Sequence, residues 1–304
     1  MKPKEMKPKK ITKPRKSKPF EPWTPEKQRS LKILARVYYD YQKERISLDG
    51  RLSLKKDGEH KKTYIDRDET YLVELINRRE EVLKYEESTI KIIEKEVHKH
   101  PLWTSFLKHV NGVGPAMSVV ILTEYDIRKA PAASNLISFG GIATGKTKGK
   151  IKRNGKIIVT NDLIDIDRKT KGYLCPYNSK LKPKLCGVLG PSLIKHPNPY
   201  REIYLNRRHR RELQNWGKDN PNPTDPKKPK ASHQHNDAIR YTVKQFLIAL
   251  YVAWRTLEGL EVRDPYEKEY LNKIHHTKLQ NNSPEKNEPN KKIAGQKPEE
   301  KLIV

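Results

Sequence analysis

A pair of glycines and a proline near the middle of the chain supply its first recognisable chemistry. The segment Phe106-Leu107-Lys108-His109-Val110-Asn111-Gly112-Val113-Gly114-Pro115-Ala116-Met117-Ser118-Val119-Val120 reads helix, tight turn, helix. Gly112 and Gly114 can adopt positive φ and let a second backbone approach closely. Val113 is placed to fill the gap between the helices, and Pro115 suits the first turn of the second one. A helix that starts this way presents unbonded N–H groups and the positive end of its dipole, which together hold a phosphate. Ser118 is small where the two helices must cross. Gly112, Val113 and Gly114 are therefore expected to touch a nucleic-acid backbone, a contact that does not read sequence.

The segment resembles the helix-hairpin-helix motif of DNA-binding proteins. Basic residues elsewhere would extend its surface. Arg240, Lys244 and Arg255 share one face of a late helix by 3.6-residue spacing, with Tyr251 between them. Tyr241, Phe246, Leu250, Ala253 and Leu257 give that helix an apolar side. Arg207, Arg208, His209, Arg210 and Arg211 form a basic run in the helix before it. With Lys146 and Lys148, the residues Arg207, Arg208, Arg211, Arg240, Lys244 and Arg255 are expected to line a composite DNA-binding groove. The alternative is a set of solvated basic faces.

Three acids allow metal chemistry. Asp162, Asp165 and Asp167 are close in sequence, and in a strand Asp165 and Asp167 would face one side and hold Mg²⁺. Nothing else supplies the remaining ligands of a two-metal site, and solvated acids on a surface hairpin are the alternative. His233-Gln234-His235 has no further Cys or His at ligand spacing, so it reads as the region of a helix cap on Ser232 or Asn236. Cys175 and Cys186 fit no usual zinc spacing and read as ordinary thiols in a reducing compartment.

The 304-residue chain carries a formal net charge of +27. Such a charge attracts polyanions at long range. Nucleic acid is the first candidate and an anionic membrane the second. The membrane needs a basic amphipathic helix with bulky apolar residues, or a lipidation signal, and neither is seen. No apolar run reaches the roughly 20 residues that span a bilayer. The basic N-terminus has no apolar segment behind it, unlike a secretory signal. The expected location is cytoplasmic and nucleoid-associated.

The elements that must position these groups are mainly α-helical. Residues 1–24 are a low-complexity basic arm: Met1 to Phe20 holds nine Lys or Arg and one acid. Its composition predicts disorder, as a solubilising tail or as a phosphate-binding arm. Residues 25–100 predict a long helical pair, an antiparallel hairpin or coiled coil that serves as a spacer or dimerisation arm. Its first helix opens at Thr24-Pro25 and runs to about Arg45; its second spans about Asp66 to His98. Turns are expected between them at Asp49-Gly50 and Asp57-Gly58. Residues 101–266 form the DNA-binding domain around the helix-hairpin-helix. It contains a small β-hairpin from the runs 156–159 and 163–166, then helices over 177–194, 199–215 and 234–258. A linker covers 220–230. The C-terminal helix end and a disordered polar tail occupy 267–304.

Residues 102–266 resemble the C-terminal domain of the insertion-sequence transposases named with IS-one-ten, IS-one-sixteen and IS-nine-oh-two. The matching features begin with Gly112-Val113-Gly114-Pro115, the apolar helix after it, and Asn135-Leu136-Ile137-Ser138-Phe139-Gly140-Gly141-Ile142. They continue through Tyr177-Asn178-Ser179-Lys180-Leu181-Lys182, Pro199-Tyr200-Arg201-Glu202-Ile203-Tyr204 and His233-Gln234-His235-Asn236-Asp237-Ala238-Ile239-Arg240-Tyr241 to Glu258-Gly259-Leu260. The resemblance implies DNA transposition and recombination by a Mg²⁺-binding DEDD domain paired with a domain carrying a nucleophilic serine, in some members with a guide RNA. This chain departs from that pattern twice. Its first hundred residues hold no strand-rich acidic domain. After Gly141-Ile142 no serine follows, and Thr144 and Thr147 are the hydroxyls there, with threonine the more hindered nucleophile.

Three functions follow as expectations. The first is a transposase-like DNA-binding protein of a mobile element, working beside a separate catalytic subunit. The second is an active Mg²⁺-dependent recombinase or nuclease that uses Thr144, or Asp165 and Asp167 with Asp162. The third is a structural or RNA-binding basic protein.

Overall fold

A computed structural model of the chain describes residues 23–52, 70–216, 218–219 and 221–264. Residues 1–22 of the arm expected over 1–24, the Asp57-Gly58 turn and the tail over 267–304 lie outside the described residues. Trp23 and Thr24 belong to the fold, not to an arm. Trp23 packs edge-on to His100 with ring centroids 4.9 Å apart. The Thr24 side chain accepts the Lys27 N–H at 3.3 Å, and Pro25 opens α1 (Pro25–Arg51).

Helix α1 runs through Asp49-Gly50 where a turn was expected. Asp49 is held on the helix surface by Arg45 and Arg79, each at 2.9 Å. Helix α2 (Thr70–Val97) returns antiparallel, because its ion pairs descend as α1 ascends: Lys27–Glu96, Arg45–Glu86, Arg79–Asp49. Helix α3 (Pro101–Ser105) then leads to α4 (Pro115–Glu124), in which every residue from Met117 to Thr123 is buried. A helix apolar all round belongs in a core. Accordingly α4 packs on both α1 and α2. Leu31, Ala35, Ile93 and Val97 of the helical pair share one apolar cluster with α4 and with the C-terminal helices. The expected boundary at residue 100 therefore does not separate two cores.

After α5 (Ala133–Phe139), strands β1 (Lys146–Arg153) and β2 (Lys156–Asp165) form an antiparallel ribbon. The runs 156–159 and 163–166, expected to pair with each other, fall on one strand, β2, and the residue after it. The turn is Asn154-Gly155, with φ of 46° and 76°. Two successive positive φ values match the twist of a two-residue hairpin, so the partner strand is the lysine-rich stretch before it. Helix α6 (Leu181–Lys184) passes through a π-helical stretch (Leu185–Leu189) into α7 (Gly190–Lys195). Pro191 has no N–H to give the preceding turn, which accounts for the widened ladder. Helix α8 (Pro199–Leu213) follows, capped by the Asn198 side chain. The expected linker holds two short paired strands, β3 (Pro221–Asn222) and β4 (Asp225–Pro229). Helix α9 (Ala231–Leu257) buries Ala238, Thr242, Val243, Phe246, Leu250 and Trp254 and packs on α8 and α5. Among the described residues no helix is long and apolar enough to cross a membrane.

Candidate nucleic-acid interface

The glycine turn forms, but its two glycines do different things. Gly112 takes φ of +97°. A Cβ there would stand 2.5 Å from the Ser192 carbonyl oxygen. The turn is thus closed on one side by the chain itself. Ser192 Oγ donates to the Gly112 carbonyl at 2.7 Å, and Asn198 Nδ2 donates to the Asn111 carbonyl at 3.1 Å. Gly114 is different. Its φ of −92° and ψ of 176° are extended, so the expected positive φ holds at 112 alone. Gly114 is exposed, with nothing within 4 Å of a Cβ. It caps α4 without any side-chain hydrogen bond, and Pro115 follows. Val113 is buried and Ser118 is fully so, its hydroxyl donating to the Gly114 carbonyl at 3.0 Å. Lys108, Lys195 and Arg201 are exposed in the segments that lead to or pack on this turn.

Burial and carboxylate partners sort the cations of the expected groove of α8 and α9, and burial removes Arg255 from it. Arg255 is 8% exposed and donates Nη1 to the carbonyls of Ala130 at 2.9 Å and Ile127 at 3.3 Å. It is an interior clamp on the short 3₁₀ turn Ile127–Lys129 before α5, out of reach of a phosphate. Tyr251 beside it is fully buried and donates its hydroxyl to the Pro131 carbonyl at 2.7 Å. Arg207 and Arg211 converge on Asp237 at 2.8 and 2.7 Å. Their guanidiniums lie 4.7 Å from the Tyr241 and Trp216 rings. Burial alone would raise the Asp237 carboxyl, but the two guanidiniums outweigh it and hold the group below its ordinary range. Arg240 pairs with Asp167 at 2.9 Å, and Arg208 pairs with Glu212 at 3.2 Å. Lys244 is half-buried. The spacing of these cations was legible, and their carboxylate partners were not.

The acids are dispersed in the same way. Asp165 ends β2 opposite Lys146, and Asp167 lies beyond the strand in its pair with Arg240. Asp162 accepts the Tyr173 hydroxyl at 2.7 Å. Thr144 is exposed. Among the described residues no group of three or more His, Cys, Asp or Glu is placed to hold a metal ion. His235 Nδ1 is 2.7 Å from the Tyr204 hydroxyl, and both cysteines are free thiols.

Comparison of the chain with protein-family models, with curated proteins and with solved structures finds no match.

Lys146 and Lys148 are exposed on β1, as are Lys150 and Lys152, which the sequence reading passed over. Residues two apart on a strand share a face. The alternation Lys-x-Lys-x-Lys-x-Lys over 146–152 was the available signal.

Proposed function

We propose that this chain is a DNA-binding protein that grips the phosphate backbone without reading sequence, and that it serves a transposase-related system of a mobile element. The single observation that carries the DNA part is the open Gly114 at the amino end of the ten-residue helix α4, where no side chain caps the helix, with Lys108, Lys195 and Arg201 exposed in the segments that lead to or pack on that turn. Backbone N–H groups there meet an anion with the helix dipole behind them. The net charge of +27 supplies long-range attraction to the same polymer.

The transposase part rests on the resemblance of residues 102–266. In this reading the chain contributes DNA binding to transposition or recombination, and a separate subunit contributes catalysis. Its place is on the nucleoid in the cytoplasm. The test is fluorescence anisotropy of the full chain with duplex DNA, junction DNA and structured RNA over a range of salt. Binding to duplex or junction DNA that weakens steeply with salt supports the reading. Binding confined to structured RNA replaces it with an RNA-binding function.

A further inference from the structure

We infer that the β1–β2 ribbon is a groove-binding arm for duplex DNA, with lysines for the phosphates and an aliphatic strip for the groove interior. The inference rests on the DNA-binding reading above and assigns the element that enters the duplex.

The register shifts by two residues between Lys148 and Lys150, an even step that keeps both sets of side chains on one face. Lys148 is opposite Leu163, Lys150 opposite Val159 and Lys152 opposite Ile157. Directly opposed residues of an antiparallel pair point the same way. Leu163, Val159 and Ile157 are 64%, 56% and 64% exposed. Lys146 extends the row opposite Asp165, the one carboxylate on this face. The whole ribbon, 146–165, carries six cations against two acids.

The other face is covered near the base of the ribbon by the loop after β2, while Ile158 toward the tip is 44% exposed. Ile164 is buried, and a Cβ on Gly149 would stand 2.5 Å from the Tyr173 ring. Tyr173 donates its hydroxyl to Asp162, and the Leu174 N–H bonds the Lys150 carbonyl at 2.7 Å. One face thus anchors the ribbon and leaves the lysine face turned outward.

Dimensions and charge select the occupant. Strand residues two apart repeat at about 6.8 Å, and strands pair at about 4.8 Å. The row Lys146 to Lys152 therefore presents a cation about every 6.8 Å to a duplex that carries a phosphate about every 3.4 Å of axis on each strand. A B-form major groove, about 12 Å wide, accepts a two-stranded ribbon, and thymine methyls in it accept aliphatic contacts. A second copy of the ribbon would bring like charges together, which opposes self-pairing.

The experiment uses the full chain. Lys148→Gln, Lys150→Gln and Lys152→Gln are combined in one variant, and Ile157→Thr, Val159→Thr and Leu163→Thr in another. A third carries Lys→Arg at the same three positions, and circular dichroism of each checks the fold. For duplex DNA, the plot of log affinity against log salt should flatten by about 3 in the Gln variant and stay unchanged in the Arg variant. The Thr variant should lose duplex affinity several-fold with the slope intact. A wild type that binds duplex DNA, with the Gln variant keeping the full slope, overturns the ribbon assignment and leaves the DNA-binding reading standing. A wild type that ignores DNA but binds phosphatidylserine vesicles through these lysines overturns both.

Discussion

Gly112 lies so close to Ser192 that a methyl group on it would reach within 2.5 Å of the Ser192 carbonyl oxygen, and the Ser192 hydroxyl bonds back to Gly112 at 2.7 Å. The contact fastens the turn before α4 to α7. It requires both the missing side chain and the φ of +97°. Gly112→Ala is therefore expected to destabilise the fold by about 2 kcal/mol or more, since a strained φ and a backbone clash act together. The urea midpoint measures it. A shift worth less than about 0.5 kcal/mol would mean that the two segments are not held together in solution.

Gly114 gives the opposite expectation. Its extended backbone suits a β-branched residue, and the space around it is open. Gly114→Val should cost at most about 1 kcal/mol, through a poorer N-cap. If a phosphate sits at this helix end, the added side chain screens it, and DNA affinity should fall about tenfold, roughly 1.4 kcal/mol. Anisotropy at fixed salt, beside circular dichroism, separates the two effects. Unchanged affinity would make the turn a fold element alone.

These two glycines show what the sequence could and could not disclose. Their presence announced a tight turn, but their division of labour depends on Ser192, 80 residues away. The long helices were legible because their apolar residues recur at helical spacing, and the Thr24-Pro25 start carries its own capping chemistry. The end of α1 was not, because Asp49 and Gly50 look like a turn until Arg79 is seen to hold Asp49 in place. The lysine strand was missed because it has almost no apolar alternation, and its inward positions are Thr147, Gly149 and Ile151. The Asn154-Gly155 pair was the signal that could have fixed the hairpin.

The arginines of α8 provide a third test. Arg207 and Arg211 share Asp237 and have side chains 19% exposed. Removing the acid leaves two half-buried guanidiniums without their carboxylate. Asp237→Asn should therefore destabilise by about 1–3 kcal/mol. Arg211→Gln should also lower stability while leaving the salt dependence of DNA binding intact. A slope reduced by about 1 in that variant would return Arg211 to the DNA-contacting set.

His100 sets a pH dependence. It caps α3, its Nδ1 accepting the Leu102 N–H at 3.2 Å, between the rings of Trp23 and Trp254. Burial, helped by the charge of Lys27, pushes its pKa down to about 4. In the unfolded chain the group titrates near 6.5. Between these values the unfolded state binds a proton that the folded state refuses, so stability rises with pH across that window. Acidification from about 6.5 to about 4 should cost up to about 3 kcal/mol. Protonated Nδ1 cannot accept the Leu102 N–H, which gives the loss a structural cause. His100→Asn keeps a capping oxygen and removes the titration, so its stability profile should be flatter across the same window. Urea unfolding at pH 4.5, 5.5 and 7 compares the two proteins. Parallel profiles would show that the ring is hydrated and that the packing of Trp23 and Trp254 around it is looser than the structure has it.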